Sequence, residues 1–343
     1  MNKKASDFEY QVYRDPRRLA QAITVFTCGF FLIGAAHADF DPFADLAAVP
    51  VPEYPVDGYD DSVEFNEIFQ SADSWTPNSN FEVLFIGGFL SDSLLDHPKL
   101  EKIGRLIGLN TYYGEAKKLL AEKNVPFQVV DIQSEGTVAR NAEIIAEAVL
   151  QTARKSGKKV LLVSHSKGGP DTLEALLSLR EKNYLKLVGG WVSIQSPFYG
   201  TPIADKALES FCKKLLIFPL LRLLGGDREA IRDMSGEYRM NYIANQAREI
   251  SDVLNRVPFL SVSSYIQNQP RKIDSLFEKT RNYMERKLGL QNDGMVPWKS
   301  AVLPTSTYVI LPEVDHLESI MKLKKDRFRS KRLIESSLIY LHL

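Results

Sequence analysis

The sequence predicts an α/β protein built around a mostly parallel central sheet. Apolar runs at 81–86, 160–163 and 187–194 have the composition of strands that are buried on both faces. Helical patterns separate such runs, and the clearest is the amphipathic stretch 137–155, which Gly157 can terminate. Because neighbouring parallel strands need a long crossover between them, this alternation of strands and helices predicts parallel pairing.

The rest of the chain follows the same plan, with one insertion. Further strands are predicted at 127–132, 259–265 and 307–311, and further helices at 112–124, from the turn after 163 to about 180, and over most of 316–341. From about 203 to 257 no convincing strand pattern occurs, and within this stretch 215–224 is strongly apolar. We therefore expect one domain over 81–343 with a helical cap inserted at about 203–257.

The first 38 residues have the pattern of an export signal. Basic residues precede an uncharged stretch from Leu19 to Ala36, and Ala36-His37-Ala38 fits the small-x-small pattern of a cleavage site. We predict a signal peptide at 1–38, cleaved before Asp39, and an exported protein that is periplasmic or secreted. The alternative is an uncleaved N-terminal membrane anchor, because the uncharged stretch approaches the length of a spanning helix.

Residues 39–80 form a Pro- and Asp-rich segment in front of the first strand. Its prolines disfavour regular structure, so we expect an extended arm that packs on the domain through its aromatic residues, or a partly disordered one. Cleavage of the signal would remove Cys28 and leave Cys212 as the single cysteine. No internal disulfide is therefore predicted.

Charge and motif content exclude several classes of function. The chain has 43 Lys and Arg residues against 43 Asp and Glu residues, and it has no basic stripe interleaved with aromatic residues. A nucleic-acid partner is therefore not predicted. The sequence also lacks H-E-x-x-H, paired cysteines and a P-loop, so the residues alone predict no metal or other cofactor.

The clearest chemical signal is the turn that follows the apolar run 160–163. A buried strand, a tight turn and a helix form the setting in which G-x-S-x-G presents a nucleophilic serine. Here the motif is Ser164-His165-Ser166-Lys167-Gly168, with serine where the first glycine is usual. Small residues are needed on both sides because larger ones would collide with the strand and the helix. Ser166 is the predicted nucleophile.

A serine hydroxyl becomes a strong nucleophile only when a base takes its proton, and histidine is the expected base. Beyond the signal the chain offers His97, His165, His316 and His342. His316 follows the last predicted strand by a short turn, which places it at the same edge of the sheet as Ser166, and it is our predicted base. His165 adjoins the nucleophile and should point away from it, His342 is near the C-terminus, and His97 stays open as an alternative.

A third group, a carboxylate, should orient the histidine and stabilise its protonated form. Asp293, in the turn sequence Asn292-Asp293-Gly294, lies between the last two predicted strands and is the predicted acid. Asp274 and Asp315 are its rivals, although Asp315 adjoins His316 and has little room to reach round it. The resulting chain order is nucleophile, acid, base.

The oxyanion that forms in such a reaction needs preorganised donors. The backbone N–H of Lys167, directly after the nucleophile, is one predicted donor. The loop after the first apolar run contains Gly87 and Gly88, whose lack of a side chain permits close approach. The backbone N–H of Phe89 is the second predicted donor.

Together these segments resemble the lipase and esterase branch of the α/β-hydrolases, especially bacterial secreted triacylglycerol lipases. The resemblance covers about 81–205 and 290–320. The matching segments are Phe85-Ile86-Gly87-Gly88-Phe89, Tyr112-Tyr113-Gly114, Ser164-His165-Ser166-Lys167-Gly168-Gly169-Pro170, Ser196-Pro197-Phe198-Tyr199-Gly200-Thr201-Pro202-Ile203-Ala204-Asp205, Asn292-Asp293-Gly294-Met295-Val296 and Asp315-His316-Leu317-Glu318.

The resemblance implies an α/β-hydrolase fold with a helical lid or cap. It also implies that Glu318 occupies the position of an aspartate that helps to bind a structural calcium ion in those lipases, so calcium is a possible cofactor. The apolar run 215–224 would be a lid that makes transient contact with a lipid surface, or else an ordinary buried helix of the cap.

The predicted function is that of an exported serine ester hydrolase, cleaving a lipid or other hydrophobic ester through an acyl-enzyme on Ser166. An acyltransferase or a polyester depolymerase would use the same residues, and the sequence does not separate these activities. A hydrolase-fold binding protein that has lost catalysis is the alternative from another class. It predicts a broken triad, whereas Ser166, Asp293 and His316 are all present. The expected partner is a small-molecule or lipid ester.

Overall fold

Within the part of the chain that the structure describes, seven parallel strands form the centre. The computed structural model describes residues 53–71, 75–77, 80–88, 112–133, 136–213, 228–267, 274–321 and 328–343, with the backbone alone at 210–213 and 274–276. The strands are β1 (Gly58–Asp60), β2 (Phe81–Ile86), β3 (Phe127–Val129), β4 (Lys159–His165), β5 (Val188–Ile194), β6 (Phe259–Tyr265) and β7 (Ser306–Pro312). Their order across the sheet is β1-β7-β6-β5-β4-β2-β3, and every neighbouring pair is parallel. The predicted parallel α/β architecture is confirmed.

Helices cover both faces of this sheet. They are α1 (Ser62–Gln70), α2 (Gly114–Glu122), α3 (Val138–Ser156), α4 (Gly168–Glu181), α5 (Pro202–Lys213), α6 (Arg228–Arg232), α7 (Gly236–Asn245), α8 (Ala247–Arg256), α9 (Asp274–Asn282) and α10 (Ser330–Tyr340). None of the helices within the described ranges is long and apolar enough to cross a membrane.

Strand β4 shows why the sheet needs a helical layer on each side. Successive side chains of a strand point to opposite faces. Leu162 packs in one apolar cluster with Ile145 of α3, and Leu161 packs in the other with Leu333 of α10. Each such buried side chain contributes roughly 2 kcal/mol to folding. The strand that carries the predicted nucleophile is thereby held on both faces.

The cap insertion is helical where the structure describes it, at 203–213 and 228–257, and no strand occurs in those two ranges. Its first and later helices are joined near their N-termini, since Asp205 of α5 accepts a hydrogen bond from the N–H of Gly236 in α7 at 2.9 Å. The apolar run 215–224 and the predicted signal at 1–38 lie outside the described residues.

The segment before β2 is more ordered than the extended arm expected from its prolines. Residues 58–70 form an edge strand and a helix: β1 pairs with β7, and Phe65 and Phe69 of α1 are buried against the layer that contains α10. The two phenylalanines are four residues apart and therefore share one face of a helix. Farther on, the indole N–H of Trp75 donates to the carbonyl of Leu343 at 2.7 Å.

Two other boundaries differ from those expected. The strand predicted at 127–132 ends at Val129, because the N–H of Ile132 bonds to the carbonyl of Val130 and turns the chain. The helix predicted over most of 316–341 is confined to α10 in the described residues. The Asp315 carboxylate accepts the N–H groups of Leu317 and Glu318 and holds a turn there in place of helix.

Candidate active site

The candidate site lies at the carboxyl ends of the central strands, and Ser166 occupies its sharpest turn. Strand β4 ends one residue before Ser166, and α4 begins two residues after it. The backbone φ of Ser166 is 54°, the left-handed region, which costs a non-glycine residue about 1–3 kcal/mol. Its N–H donates to the carbonyl of Ile194 at 3.0 Å, and this bond helps to hold the strained turn.

The residues around this turn leave no space for larger side chains. A Cβ added to Gly168 would lie 2.5 Å from the carbonyl oxygen of Gly87, and one added to Gly88 would lie 2.8 Å from the Cβ of Ser166. Ser164, which replaces the usual glycine, is buried, and its hydroxyl accepts the indole N–H of Trp191 at 2.8 Å. The serine that replaces the first glycine of G-x-S-x-G therefore has its own hydrogen-bonding partner.

The structure brings together the three residues predicted as nucleophile, base and acid. Nε2 of His316 lies 2.9 Å from the hydroxyl oxygen of Ser166, and Nδ1 of His316 lies 2.8 Å from Oδ2 of Asp293. An ionised carboxylate can only accept, so Nδ1 carries the proton and Nε2 is left to accept from the serine. This arrangement can activate a serine hydroxyl.

Asp293 is held rigidly by its own turn. Its Oδ1 accepts the N–H groups of Met295 and Val296 at 2.9 and 2.7 Å, which leaves Oδ2 directed at His316. The N–H of His316 donates to the carbonyl of Asp293 at 3.1 Å, so the two residues are also joined through the backbone. Of the rival acids, Asp315 caps its own turn, and the side chain of Asp274 lies outside the description.

The other histidines of the chain differ in their placement. His165 is buried beside the site, with its Nε2 2.8 Å from the carbonyl oxygen of His316 and its Nδ1 2.5 Å from the hydroxyl of Tyr112. Burial lowers the pKa of His165 well below its usual value, and the nearby His316 lowers it further, so this ring is neutral. His342 lies in the turn after α10, and His97 falls outside the described residues.

One predicted oxyanion donor is described and the other is not. The N–H of Lys167 lies at the N-terminus of α4, where backbone N–H groups have no partner within the helix. Phe89 lies outside the described residues, which on that side end at Gly88. The N–H of Gly88 donates to the hydroxyl of Tyr112 at 2.9 Å and is thus already engaged.

The Lys167 side chain anchors the same helix start. Its ammonium group lies 2.9 Å from both carboxylate oxygens of Asp171, one turn farther along α4, and Asn141 of α3 donates to that carboxylate at 2.8 Å. Burial raises the pKa of Asp171 to about 6, and the opposing attraction of Lys167 keeps it from rising further. The pair fixes the backbone that carries the Lys167 N–H.

Sequence reasoning missed Gln195, which follows β5. Its backbone φ is 50°, again left-handed, and its side chain is buried. The amide donates to the carbonyl of Asp315 at 2.9 Å and to the hydroxyl of Ser264, and it accepts the hydroxyl of Ser319 at 2.5 Å. Gln195 therefore connects the end of β5 to the loop that carries His316, and no sequence motif includes this residue.

Glu318 is buried in that loop, and its Oε2 accepts the N–H of Asp315 at 3.3 Å. Among the residues that the structure describes, no group of three or more His, Cys, Asp or Glu side chains is arranged to hold a metal ion. Calcium binding at Glu318 stays a prediction.

The all-parallel sheet, with a serine on the turn after β4, has the architecture of an α/β-hydrolase, and solved structures share it. The metagenomic carboxyl esterase MGS0156 superimposes with a TM-score of 0.56 at 20% identity, covering 95% of this chain and 91% of that one. The mature form of Bacillus licheniformis lipase BlEst2 gives 0.55 at 17% identity, covering 79% and 93%.

A third structure, lipase 1 from Pelosinus fermentans, gives a TM-score of 0.50 at 13% identity, covering 77% of this chain and 99% of that one. No protein-family model and no curated protein sequence matches the chain. The chain thus has an α/β-hydrolase fold and resembles lipases and esterases in structure, as its sequence predicted.

Proposed function

We propose that this protein is an exported serine ester hydrolase that cleaves a lipid or other hydrophobic ester through an acyl-enzyme on Ser166. One observation carries the proposal. A serine on a left-handed turn lies 2.9 Å from a histidine nitrogen, and the other nitrogen of that ring lies 2.8 Å from a buried carboxylate. The lipases and esterases of like fold favour a carboxylic ester as the substrate.

In the first half-reaction the Ser166 oxygen attacks the ester carbonyl carbon while its proton passes to Nε2 of His316. Asp293 stabilises the imidazolium that forms and keeps the ring in position. The N–H of Lys167, with that of Phe89 as the proposed second donor, holds the oxyanion. Collapse breaks the bond to the alkoxide, which leaves as the alcohol with the proton from His316.

Water completes the reaction by the reverse sequence. His316 takes a proton from the water, whose oxygen attacks the acyl carbon and forms a second oxyanion. Breakdown returns the proton to Ser166 and releases the carboxylic acid.

These steps use the chain's own side chains and backbone, and we propose no cofactor for them; a calcium ion at Glu318 would have a structural role. Treatment with a chelator, followed by measurement of the Tm, tests that role.

The substrate class is tested by a series of p-nitrophenyl esters of increasing chain length with the mature protein. We expect preference for longer acyl chains, with higher activity above the concentration at which the ester forms an interface if 215–224 is a lid. Preference for short chains would make the protein an esterase for soluble substrates. Product analysis with glycerol present distinguishes transfer to an alcohol from transfer to water.

The serine mechanism is tested with a matched pair of variants in the same turn. Ser166→Ala should lower kcat by about 10⁵-fold or more, because the nucleophile is lost. Ser164→Ala removes a buried hydroxyl two residues away whose partner is Trp191, and should keep kcat within about tenfold. Full activity of the Ser166→Ala variant would overturn the proposal, and an inactive wild type would favour a binding protein.

A further inference from the structure

His165 links two segments of the site that lie far apart in the chain. Its Nε2 lies 2.8 Å from the carbonyl oxygen of His316. Its Nδ1 lies 2.5 Å from the hydroxyl oxygen of Tyr112, and that hydroxyl lies 2.9 Å from the backbone nitrogen of Gly88. A continuous chain of hydrogen bonds therefore runs from the end of β2 to the loop that carries the proposed base.

Chemistry fixes the direction of every bond in this chain. A carbonyl only accepts, so Nε2 of His165 carries the proton and Nδ1 is an acceptor. Tyr112 must then donate its O–H to Nδ1, and its oxygen accepts the N–H of Gly88. The ring is buried and neutral, so a single tautomer satisfies all three bonds. Such a network has one arrangement and resists rotation of its members.

The two ends of this hydrogen-bond chain lie beside Ser166 and beside its proposed base. The Cα of Gly88 packs so closely on Ser166 that an added Cβ would lie 2.8 Å from the serine Cβ. At the other end the ring of His316 lies 4.7 Å, centroid to centroid, from that of His165. The oxyanion loop begins at the first end, and the base stands at the second.

We propose that Tyr112 and His165 are positioning residues: they fix the positions of the Gly88 backbone and the His316 backbone relative to Ser166. This inference rests on the proposed hydrolase function. Neither side chain needs to touch the substrate. Their role is to keep the oxyanion donors and the base at the separations that the transition state requires, where small displacements carry large rate costs.

Neighbouring tyrosines provide a matched test. Tyr112→Phe removes the hydroxyl that joins Gly88 to His165, and we expect kcat to fall about tenfold with KM within about twofold. Tyr113→Phe removes the next hydroxyl, whose partners are the carbonyls of Ile86 at 3.0 Å and Val163 at 3.4 Å. That control should cost similar stability and leave kcat within about twofold. Equal kcat values for the two variants, in an active enzyme, would overturn the inference.

Variants at His165 supply a rescue. His165→Gln retains an amide N–H that can donate to the carbonyl of His316, whereas His165→Leu does not. We expect the glutamine variant to keep several-fold more kcat than the leucine variant at equal Tm. If both variants lost the same kcat, or if their kcat values differed only in step with their Tm values, His165 would have a purely structural role and the inference would be wrong.

Nitrogen-15 histidine spectra test the hydrogen-bond chain independently of any activity. His165 should appear as the neutral ring protonated on Nε2, and its Nδ1 resonance should shift in Tyr112→Phe and stay in place in Tyr113→Phe. A ring protonated on Nδ1 would overturn the positioning role even in an active enzyme. An inactive wild type with the expected tautomer would instead refute the proposed hydrolase function.

Discussion

Replacing Asp293 by asparagine should inactivate the protein while leaving its structure in place. Oδ1 of Asp293 accepts two backbone N–H groups, from Met295 at 2.9 Å and from Val296 at 2.7 Å. An asparagine must keep its carbonyl oxygen there, because its NH₂ group would otherwise face two donors at about 1–3 kcal/mol for each unsatisfied group. The NH₂ group of Asp293→Asn must therefore face Nδ1 of His316, in the place of Oδ2.

That orientation forces the wrong tautomer on the histidine. Nδ1 of His316 has to accept from the new NH₂ group, so the ring proton moves to Nε2, which then faces Ser166 as a donor. A base that already holds the proton cannot take another from the serine. A change of this kind costs a Ser-His-Asp triad about 10⁴-fold in kcat, which corresponds to about 5.5 kcal/mol of barrier.

The assay compares kcat on a p-nitrophenyl ester for Asp293→Asn and for the matched variant Asp315→Asn. Oδ1 of Asp315 also accepts two backbone N–H groups, at 2.7 and 2.8 Å, and the residue is equally buried. We expect a loss of about 10⁴-fold for the first variant and less than about tenfold for the second. If Asp315→Asn lost the greater activity, or if Asp293→Asn kept kcat within tenfold, the assigned acid would be wrong.

Three further predictions concern the surroundings of the site. Gln195→Met should lower kcat about tenfold with little change in KM, because the carbonyl of Asp315 loses its donor; an unchanged kcat would contradict this. Phe65→Ala should lower the free energy of unfolding in urea by about 3–5 kcal/mol with normal kcat below the transition, since α1 belongs to the folded domain; a change under 1 kcal/mol would mean a loosely attached arm. The pKa of His165 is lowered in the folded state and that of Asp171 is raised to about 6, and these two shifts change stability with pH in opposite directions. The stability of the wild type relative to His165→Gln should therefore fall as the pH drops below about 6.5, by up to about 1.4 kcal/mol per pH unit. His165→Gln lacks this dependence, and identical slopes in urea titrations would refute it.

The elbow and its two partners could be predicted because position in a parallel sheet constrains them strongly. Strands that read as buried runs in the sequence end at a common edge, so a residue just after one strand lies near a residue just after another. Ser166 after β4 and His316 after β7 meet for this reason. Asp293, in the long connection between β6 and β7, reaches the same edge.

What the sequence did not predict depends on contacts between distant segments. Ser164 departs from the usual glycine of the motif, and the sequence does not reveal that the indole of Trp191, on the neighbouring strand, donates to its hydroxyl. Gln195 belongs to no motif. Its left-handed backbone directs the side-chain amide to the carbonyl of Asp315, in the loop that carries His316. Helix α1 was not predicted because nearby prolines indicated an extended segment, although Phe65 and Phe69 have the four-residue spacing of one helix face.

The most direct test of the central claim is covalent labelling of the wild-type protein with a fluorophosphonate, followed by intact mass measurement and peptide mapping. We predict a single adduct, located on Ser166, and no adduct in the Ser166→Ala variant. The Asp293→Asn variant should be labelled far more slowly, since its histidine cannot accept the serine proton. Labelling at a different residue, or no labelling of a folded wild-type protein, would contradict the assignment of Ser166 as the nucleophile.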